Sequence, residues 1–586
     1  MGIIYTRRQK ADLLFQSSVI SHQFSRNMVP NIFKNSAQIF LRKQTNILSA
    51  SFVLMGAVLL SGLLGLIRNR LLGGTFYATE RESLDVYLAA FRLPDMIFQL
   101  LVMGALSAAF IPVFSSYLEK KESEAWHLAS VVITIASTLF VVFGVFIFIF
   151  AHPLNRLIAP NFNPQASWLM DQLTRIMIIG QLFFVVSNFY TGILQSYQRF
   201  LVTALAPIVY NVGIIVGILF LAPELHIYGP TIGVVIGAFL HLLIQVPVLW
   251  RLGYRFRPTW DWRHPGFKRI AKLMWPRTFA LAVNQIELTM AVIIGTSLSA
   301  GSLAIFYFAQ QLGDLPVRLF GQTIGQAALP TLAKETEKDI ESFKRVFLES
   351  FLQILYFSLP AGVLLIVLRI PVVRIAYGAR TFPWEATLLT GKIVAVFAVS
   401  IFAQAVIQLL VRGFYALQDT LTPLIISFFS VIISVSLSVW FVFGLGWQIF
   451  GLSLAITLAS LFQAIVLLVF LDQKTNGFHL KTYVGAFSKM LLASFITGIA
   501  LWIPMRFLDK FVLDTTRTVQ LVLLTLIAAI SGLGVYLLLS RIMRIKQQDN
   551  FWEIFKRFGA WRRILAESEE VLDAPPISPA TPPSEE

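Results

Sequence analysis

The chain has 586 residues, of which 56% are hydrophobic and 13% are charged, and it contains no cysteine. Soluble domains carry about 25% charged residues, so this composition excludes a large water-soluble protein. The absence of cysteine excludes disulfides, thiolate metal sites and a thiol nucleophile. The seven histidines are scattered along the chain, and we expect no metal site.

Fourteen apolar runs are long enough to cross about 30 Å of hydrocarbon. They lie near residues 46–66, 85–115, 128–151, 173–195, 201–221, 229–250, 270–297, 302–332, 346–367, 389–413, 421–442, 448–471, 486–505 and 519–540. Backbone in lipid must satisfy its hydrogen bonds internally, so these runs can only be helices. The sequence predicts an all-α polytopic membrane protein with about 14 transmembrane helices.

The net charge of +16 reflects the topology of the chain in the membrane. With the N-terminus in the cytoplasm, most of the 47 Lys and Arg residues fall on the cytoplasmic side, as the positive-inside rule requires. The basicity therefore needs no nucleic-acid partner. We expect both termini to be cytoplasmic.

The runs divide the chain into segments. Residues 1–45 are a basic cytosolic extension, and residues 542–567 read as an amphipathic interfacial helix, with a soluble helical stub as the alternative. Residues 568–586 are acidic, rich in Pro and too polar to pack, so we expect disorder. Between these ends lie spans 1–6 (46–250), a basic cytosolic loop (251–272), spans 7–12 (273–471) and spans 13–14 (472–541).

The second and eighth spans both combine charges with helix-breaking residues in mid-run. The second contains Arg92, Pro94, Asp95, Gly104 and Pro112, and the eighth contains Asp314, Pro316, Arg318, Gly321 and Pro330. Interrupted, charge-bearing helices at corresponding places in two halves are typical of transporters with a midplane cavity. We therefore predict two pseudo-symmetric six-helix lobes followed by two extra helices.

Two stretches resemble the MurJ/MviN family of lipid II flippases, within the multidrug/oligosaccharidyl-lipid/polysaccharide exporter superfamily. "LDVYLAAFRLPDMIFQLLVMGALSAAFIPVF" is similar to the second span of that family, and "GFYALQDTLTP" to its connection between the tenth and eleventh spans. "LIAPNF", "QRFLVTALAP" and "LPTLAKE" follow the same order. The resemblance runs from about residue 50 to residue 540.

The resemblance implies fourteen helices, a cationic cavity and alternating access between two lobes in a bacterial inner membrane. The substrate would be lipid II, an undecaprenyl-pyrophosphate-linked disaccharide-peptide. Guanidinium groups suit pyrophosphate because they form forked, charge-assisted hydrogen bonds. Arg68 matches a cavity arginine of the family, and Arg92 keeps a cationic position.

Three further positions depart from the family pattern. Gly62, Phe98 and Gln311 stand where the family has arginine. Arg318 lies two helical turns from Gln311, so we hypothesise that it replaces the lost charge and binds pyrophosphate.

The charged residues also have simpler interpretations. Arg68 could extend to the membrane interface, and we interpret Arg70 as an interface anchor. Arg92 with Asp95, and Asp314 with Arg318, have spacings at which one helix neutralises its own charges.

Gating or structural roles are expected for several residues of the two interrupted spans. Asp85, near the predicted external mouth, could hold an arginine or a loop in the outward-closed state, or be a solvated helix end. The other candidates are Pro94, Gly104, Ser107, Pro112, Asp314 and Pro316.

Glu287 is a carboxylate deep in the seventh span, which makes it a candidate for ion coupling. Asp419 is its candidate partner, although "DTLTP" favours an N-cap at Asp419. Tyr415 stands where an amide ligand would be expected, so we do not assign a sodium site. Sodium, a proton or the membrane potential stay open as the driving force.

No nucleophile–base set, phosphate-binding glycine loop or nucleotide-binding domain is evident, so we predict a transporter without a cofactor rather than an enzyme. The alternatives are an exporter of another polyprenyl-linked saccharide or of a small cationic compound, and a non-transporting scaffold. In the scaffold case the two tails would bind cell-wall synthesis proteins. A polyprenyl-phosphate-dependent glycosyltransferase is disfavoured, because it would need a catalytic acid on a substantial external loop with metal ligands beside it, and the external loops are short.

Overall fold

The computed structural model describes residues 47–103, 109–378, 382–478, 481–515 and 517–548. The predicted extension 1–45, the tail 568–586 and the predicted interfacial helix beyond residue 548 lie outside these ranges, as do Gly104 and Ser107. Every regular element in the described ranges is helical, which confirms the all-α class.

The first half of the chain contains eleven α-helices in the described ranges. They are α1 (Ile47–Phe76), α2 (Arg81–Ala90), α3 (Arg92–Phe98), α4 (Ile111–Leu118), α5 (Glu122–Ile149), α6 (Ala151–Ile158), α7 (Pro164–Ser196), α8 (Phe200–Val216), α9 (Ala222–Leu225), α10 (Tyr228–Leu243) and α11 (Val246–Arg251).

The second half has ten described α-helices. They are α12 (Pro265–Thr296), α13 (Ser302–Pro316), α14 (Thr323–Lys338), α15 (Ile340–Val367), α16 (Arg369–Tyr377), α17 (Trp384–Ala416), α18 (Leu421–Val439), α19 (Gln448–Lys474), α20 (Lys481–Phe511) and α21 (Thr518–Ile542).

Ten helices of the described ranges are long and apolar enough to cross a membrane. Helix α12, which bends by 40° between Phe279 and Leu281, is an eleventh if it counts as one span. The remaining predicted spans are α1 and the two interrupted ones, so the count of fourteen stays a prediction. The chain is a multi-pass membrane protein.

Both interrupted spans are broken near proline, as their sequences predict. In the second span α2 ends before Phe91, α3 contains Pro94, and a π-helical segment follows at Gln99–Met103. In the eighth span a π-helical segment, Val317–Gln322, starts directly after Pro316. π-Helical turns widen a helix locally and often lie at functional sites. The sequence predicted the interruptions but not their π form.

Helices of each half pack mainly with one another. Helices α5, α7, α8 and α10 form the centre of the first half, and α15, α17, α18 and α19 that of the second. Helix α20 packs on α15 and on α21. Helix α12 packs on α18 but also along α2, α3, α5 and α6, so it lies between the halves.

A glycine seam joins α8, with the π-helical segment that follows it, to α10. A methyl group on Gly217 would lie 2.8 Å from Cα of Gly233, and one on Gly233 would lie 2.9 Å from the carbonyl oxygen of Gly213. Contacts this short leave no room for a side chain. Glycine is therefore required for the close approach of the two backbones.

Candidate functional site

Arg68 lies on α1, beside a contact between the two halves of the molecule. Its Nη1 donates to Oδ1 of Asn211, 3.1 Å away on α8, and its Nε donates to Oδ1 of Asn69 at 3.1 Å. Asn211 is fixed in turn, because its amide donates to the carbonyl of Pro207 at 3.0 Å. These partners are neutral, so the charge of Arg68 is hydrogen-bonded without being cancelled. A guanidinium in this setting can still bind an anion.

Gln311 belongs to the same cluster. Asn69 donates an amide hydrogen bond to Oε1 of Gln311, which joins α1 to α13. A methyl group on Gly65 would lie 3.7 Å from Nε2 of Gln311 and 3.9 Å from Oδ1 of Asn211. The position where the resemblance expects arginine therefore carries a neutral link between the halves.

Arg70 binds the end of α16, a contact that its interpretation as an interface anchor did not include. Its Nη2 donates to the carbonyl of Gly378 at 2.8 Å, and its Nη1 donates to that of Ile375. These carbonyls end α16 and would otherwise lack partners. Arg70 is thus a second link between the halves.

The hydrogen bonds of Arg92 go to α12 and not to Asp95, which corrects the expectation of a hydrogen-bonded pair within the second span. Its Nε donates to Oγ1 of Thr289 at 2.9 Å, and its Nη2 to the carbonyl of Gln285 at 2.9 Å and to the Gln285 side chain. Arg92 is 5% exposed. A buried guanidinium needs several acceptors, and here α12 supplies them. Asp95 instead accepts a long bond from Gln99 at 3.5 Å.

Asp85 binds the start of α13. Its two carboxylate oxygens accept hydrogen bonds from the backbone N–H groups of Gly301, at 2.7 Å, and of Ala304, at 2.8 Å. Gly301 has φ +90°, which glycine adopts without strain. Asp85 is 2% exposed, so it is not a solvated helix end. We call this contact the Asp85 latch, and it matches the expectation that Asp85 holds a loop.

Asp314 and Arg318 form an ion pair at 3.6 Å along their own helix. The Arg318 side chain is 72% exposed, whereas that of Asp314 is 35% exposed. The eighth span thus satisfies its charges locally, and Arg318 keeps an open approach for an anion. Gln311 lies in α13 and Arg318 in the π-helical segment, so a regular helical face does not join the two positions.

Glu287 accepts a hydrogen bond from Oγ of Ser434 at 2.7 Å, which joins α12 to α18. Asp419 is not its partner, which corrects that expectation. Ser434 lies thirteen residues beyond the first residue of α18, about 20 Å along the helix. Asp419 instead caps α18, accepting from the N–H of Thr422 at 3.0 Å, and pairs with Lys474.

The partners of these charged groups were missed in the sequence. Asn211 and Gln285 are amides inside apolar runs, and polar residues at membrane depth are functional candidates by default. That signal could have selected them. The N–H groups of Gly301 and Ala304 leave no signal in the sequence, because every residue except proline has one.

Comparison with known proteins agrees with this architecture. A family model described as lipid II flippase MurJ matches residues 80–522. The probable lipid II flippase MurJ of Bdellovibrio bacteriovorus is 28% identical over 518 residues, which cover 86% of this chain and 97% of that protein. The lipid II flippase MurJ of Burkholderia cenocepacia is 28% identical over 455 residues, covering 74% and 85%.

A solved structure has the same fold. It is described as lipid II flippase MurJ in an inward closed conformation, and it matches with a TM-score of 0.69 at 24% identity. The match covers 84% of this chain and 98% of that chain. The family model spans well over half of the sequence. The chain therefore belongs to the lipid II flippase MurJ family, whose members are transporters and not enzymes.

Proposed function

We propose that this chain moves lipid II from the inner to the outer leaflet of the bacterial inner membrane by alternating access. The observation that carries the proposal is the setting of Arg68, a cation bonded to two neutral amides of the first half, one of which, Asn69, also binds Gln311 of the second half. Pyrophosphate is the anionic part of lipid II, and it would supply the charge that the protein leaves uncompensated. Family membership supports the choice of lipid.

Arg68 is the proposed first ligand of the pyrophosphate, and Arg92 joins it only after rearrangement. Arg92 is engaged by Gln285 and Thr289 on α12. Its transfer to the substrate would release α12 from the second span, so binding and movement of the halves would be coupled. Arg318, exposed and paired with Asp314, would contribute a third positive charge.

The Asp85 latch is the proposed gate on the external side. It joins the second span to α13 near the end of the spans that the positive-inside rule places outside. With the latch closed, the cavity would open to the cytoplasm, where both termini lie in this topology. Pro94 and Pro316 would act as hinges of the two interrupted spans.

An apolar groove would hold part of the lipid tail. It has a volume of about 260 Å³ and lies between α15, α17, α19 and α20, with Phe351, Phe402, Ile465 and Phe487 among its lining residues. Helix α20 belongs to the two extra spans, so these spans would have a binding role. If the two extra spans could be deleted without loss of lipid binding, this part of the proposal would be contradicted.

Glu287 is the proposed coupling group. It is half-buried and bonded to Ser434, a neutral partner that suits either protonation state of the carboxyl. If Glu287 couples transport to an ion gradient, Glu287→Gln should remove the dependence of transport on that gradient and leave lipid binding intact. Partners for the two tails among cell-wall synthesis proteins remain part of the proposal.

The test is native mass spectrometry of the purified protein with lipid II and, separately, with phosphatidylglycerol. We expect selective binding of lipid II by the wild type and its loss in Arg68→Ala. Arg156→Ala is a matched control, because Arg156 is an exposed arginine near the predicted external surface. Binding of lipid II no better than of phosphatidylglycerol would contradict the proposal. Selective binding of another polyprenyl-linked saccharide or of a small cation would favour the alternative exporters.

A further inference from the structure

A chain of polar groups runs from the surface to the second span. Nδ1 of His152 lies 2.9 Å from Oδ2 of Asp171, and the Asn155 amide donates to Oδ1 of Asp171 at 2.8 Å. The same amide nitrogen donates to Oγ1 of Thr174 at 3.2 Å. Thr174 in turn donates to the carbonyl of Ala90 at 3.4 Å. Three segments, α6, α7 and α2, are thereby connected.

The inner members of this chain are fully buried. Asp171 is 5% exposed, Asn155 3% and Thr174 0%, whereas the His152 side chain is 60% exposed. Asp171 and Thr174 are three residues apart on α7, so they lie on one face of that helix. Asn155 donates its amide hydrogens to these two residues. The Thr174 hydroxyl then has two acceptors at 3.4 Å, the Ala90 carbonyl and Oδ1 of Asn155.

The Ala90 carbonyl is the group that the second span cannot satisfy by itself. In an unbroken helix it would accept from the N–H four residues later, but that residue is Pro94, which has none. A carbonyl left without a partner in a membrane span is costly. Thr174 supplies the missing donor at the point where α2 ends and α3 begins.

The two contacts of the second span with the other half lie on either side of this point. Asp85 is five residues before Ala90 and binds α13, while Arg92 is two residues after it and binds α12. A change of bend at this point would move Asp85 relative to Arg92. The bend therefore decides whether both contacts form together.

We propose that Thr174, oriented by Asn155 and Asp171, is a positioning residue that sets the bend of the second span at Pro94 and so keeps the Asp85 latch closed. Its bond to Ala90 is longer than the usual 2.5–3.0 Å of a hydroxyl donor, so it contributes modestly and can break during transport. The effect on transport rests on the proposed function, whereas the effect on the latch does not.

The test measures how often the latch opens. The chain contains no cysteine, so Ser302→Cys introduces a single thiol. Ser302 is 4% exposed and lies at the start of α13, between the two groups that Asp85 binds. The rate of its alkylation by a maleimide, in lipid nanodiscs, then reports the open fraction.

Thr174→Val removes the hydroxyl with little change in volume, and Thr174→Ser keeps it. We expect Thr174→Val to raise the alkylation rate about two- to fivefold, the size expected from one weak hydrogen bond, and Thr174→Ser to stay near the wild-type rate. In a Pro94→Ala background, residue 94 has an N–H for the Ala90 carbonyl. In that background, Thr174→Val should leave the alkylation rate unchanged.

Equal alkylation rates in Thr174→Val and Thr174→Ser would overturn the inference, and so would an undiminished effect of Thr174→Val in the Pro94→Ala background. If Thr174→Val does not fold, as judged by gel filtration, Asn155→Leu gives the same test through the residue that orients Thr174. Lipid II flipping is measured on the same samples. If Thr174→Val changes the alkylation rate but the wild type does not flip lipid II, the proposed function is contradicted and this inference is not. If the wild type flips lipid II but Thr174→Val leaves the alkylation rate unchanged, this inference is contradicted and the proposed function is not.

Discussion

The second and eighth spans carry the same kinds of residues and use them differently. Each combines one arginine, one or two aspartates and two prolines with a π-helical segment. In the second span, Asp85 and Arg92 bind α13 and α12 in the other half of the molecule. In the eighth span, Asp314 and Arg318 bind each other.

Burial explains the difference. Asp85 and Arg92 are 2% and 5% exposed, so water cannot solvate them and each needs several protein partners. Arg318 is exposed, so an ion pair with its own helix is sufficient. Similar sequence patterns therefore mark a span that holds the halves together and a span that keeps a charge accessible.

The largest effect is expected at Asp85. Asp85→Ala removes two charge-assisted hydrogen bonds and leaves two buried N–H groups unpaired, which should cost the latch about 3–5 kcal/mol. The alkylation rate of Ser302→Cys should then rise by about a hundredfold or more. Asp314→Ala is the matched control in the eighth span and should change that rate less than threefold. Similar rates in the two variants would contradict the distinction between the spans.

Arg92 should give the next largest effect. Arg92→Met keeps much of the volume but loses the bonds to Gln285 and Thr289, so we expect about 2–4 kcal/mol of lost stability in thermal unfolding in detergent. Arg318→Met should lose less than about 1 kcal/mol, since its pair is exposed. Equal losses would show that α12 does not depend on Arg92.

Asp419 provides a reference outside both spans. Asp419→Ala should cost about 1 kcal/mol, the usual value of an N-cap. Burial alone would raise the pKa of Asp419, but the bonds from Lys474 and Thr422 outweigh it and lower the pKa from 3.8 to about 2. This stabilisation is therefore present above about pH 4 and is lost as the pH falls through 2. The free energies of unfolding of wild type and Asp419→Asn, measured at decreasing pH, should therefore converge as the pH approaches 2.

The smallest effect is expected from exchanging the charges of the eighth span. The double variant Asp314→Arg/Arg318→Asp keeps an i, i+4 pair, so its stability should stay within about 0.5 kcal/mol of wild type. Binding of lipid II, in contrast, should weaken if the pyrophosphate contacts Arg318. An unchanged affinity would remove Arg318 from the proposed ligands, whereas a large loss of stability would mean that the pair is not a local one.

The fold was largely predictable, because run length and hydropathy set where a chain can cross a membrane. Asp85, Arg68 and Arg92 were also selected as charges in apolar surroundings. Their partners were not, since Arg68 and Asn211 are 143 residues apart and Asp85 and Gly301 are 216 apart. Contacts at this separation depend on how helices pack, and a single sequence carries little record of that. The bonds from Arg70 to α16 were missed for the same reason.

The glycine seam between α8 and α10 has a consequence for the wall of the first half. Two backbones that leave no space for a methyl group also leave none for an acyl or isoprenoid chain. This wall is therefore impermeable to lipid along the seam. In the proposed function, a polyprenyl tail would then contact the protein elsewhere on its perimeter, and the apolar groove beside Phe402 and Phe487 lies on the opposite half of the chain. The first half would then form a closed wall, and the second half would provide the binding surface for the lipid tail.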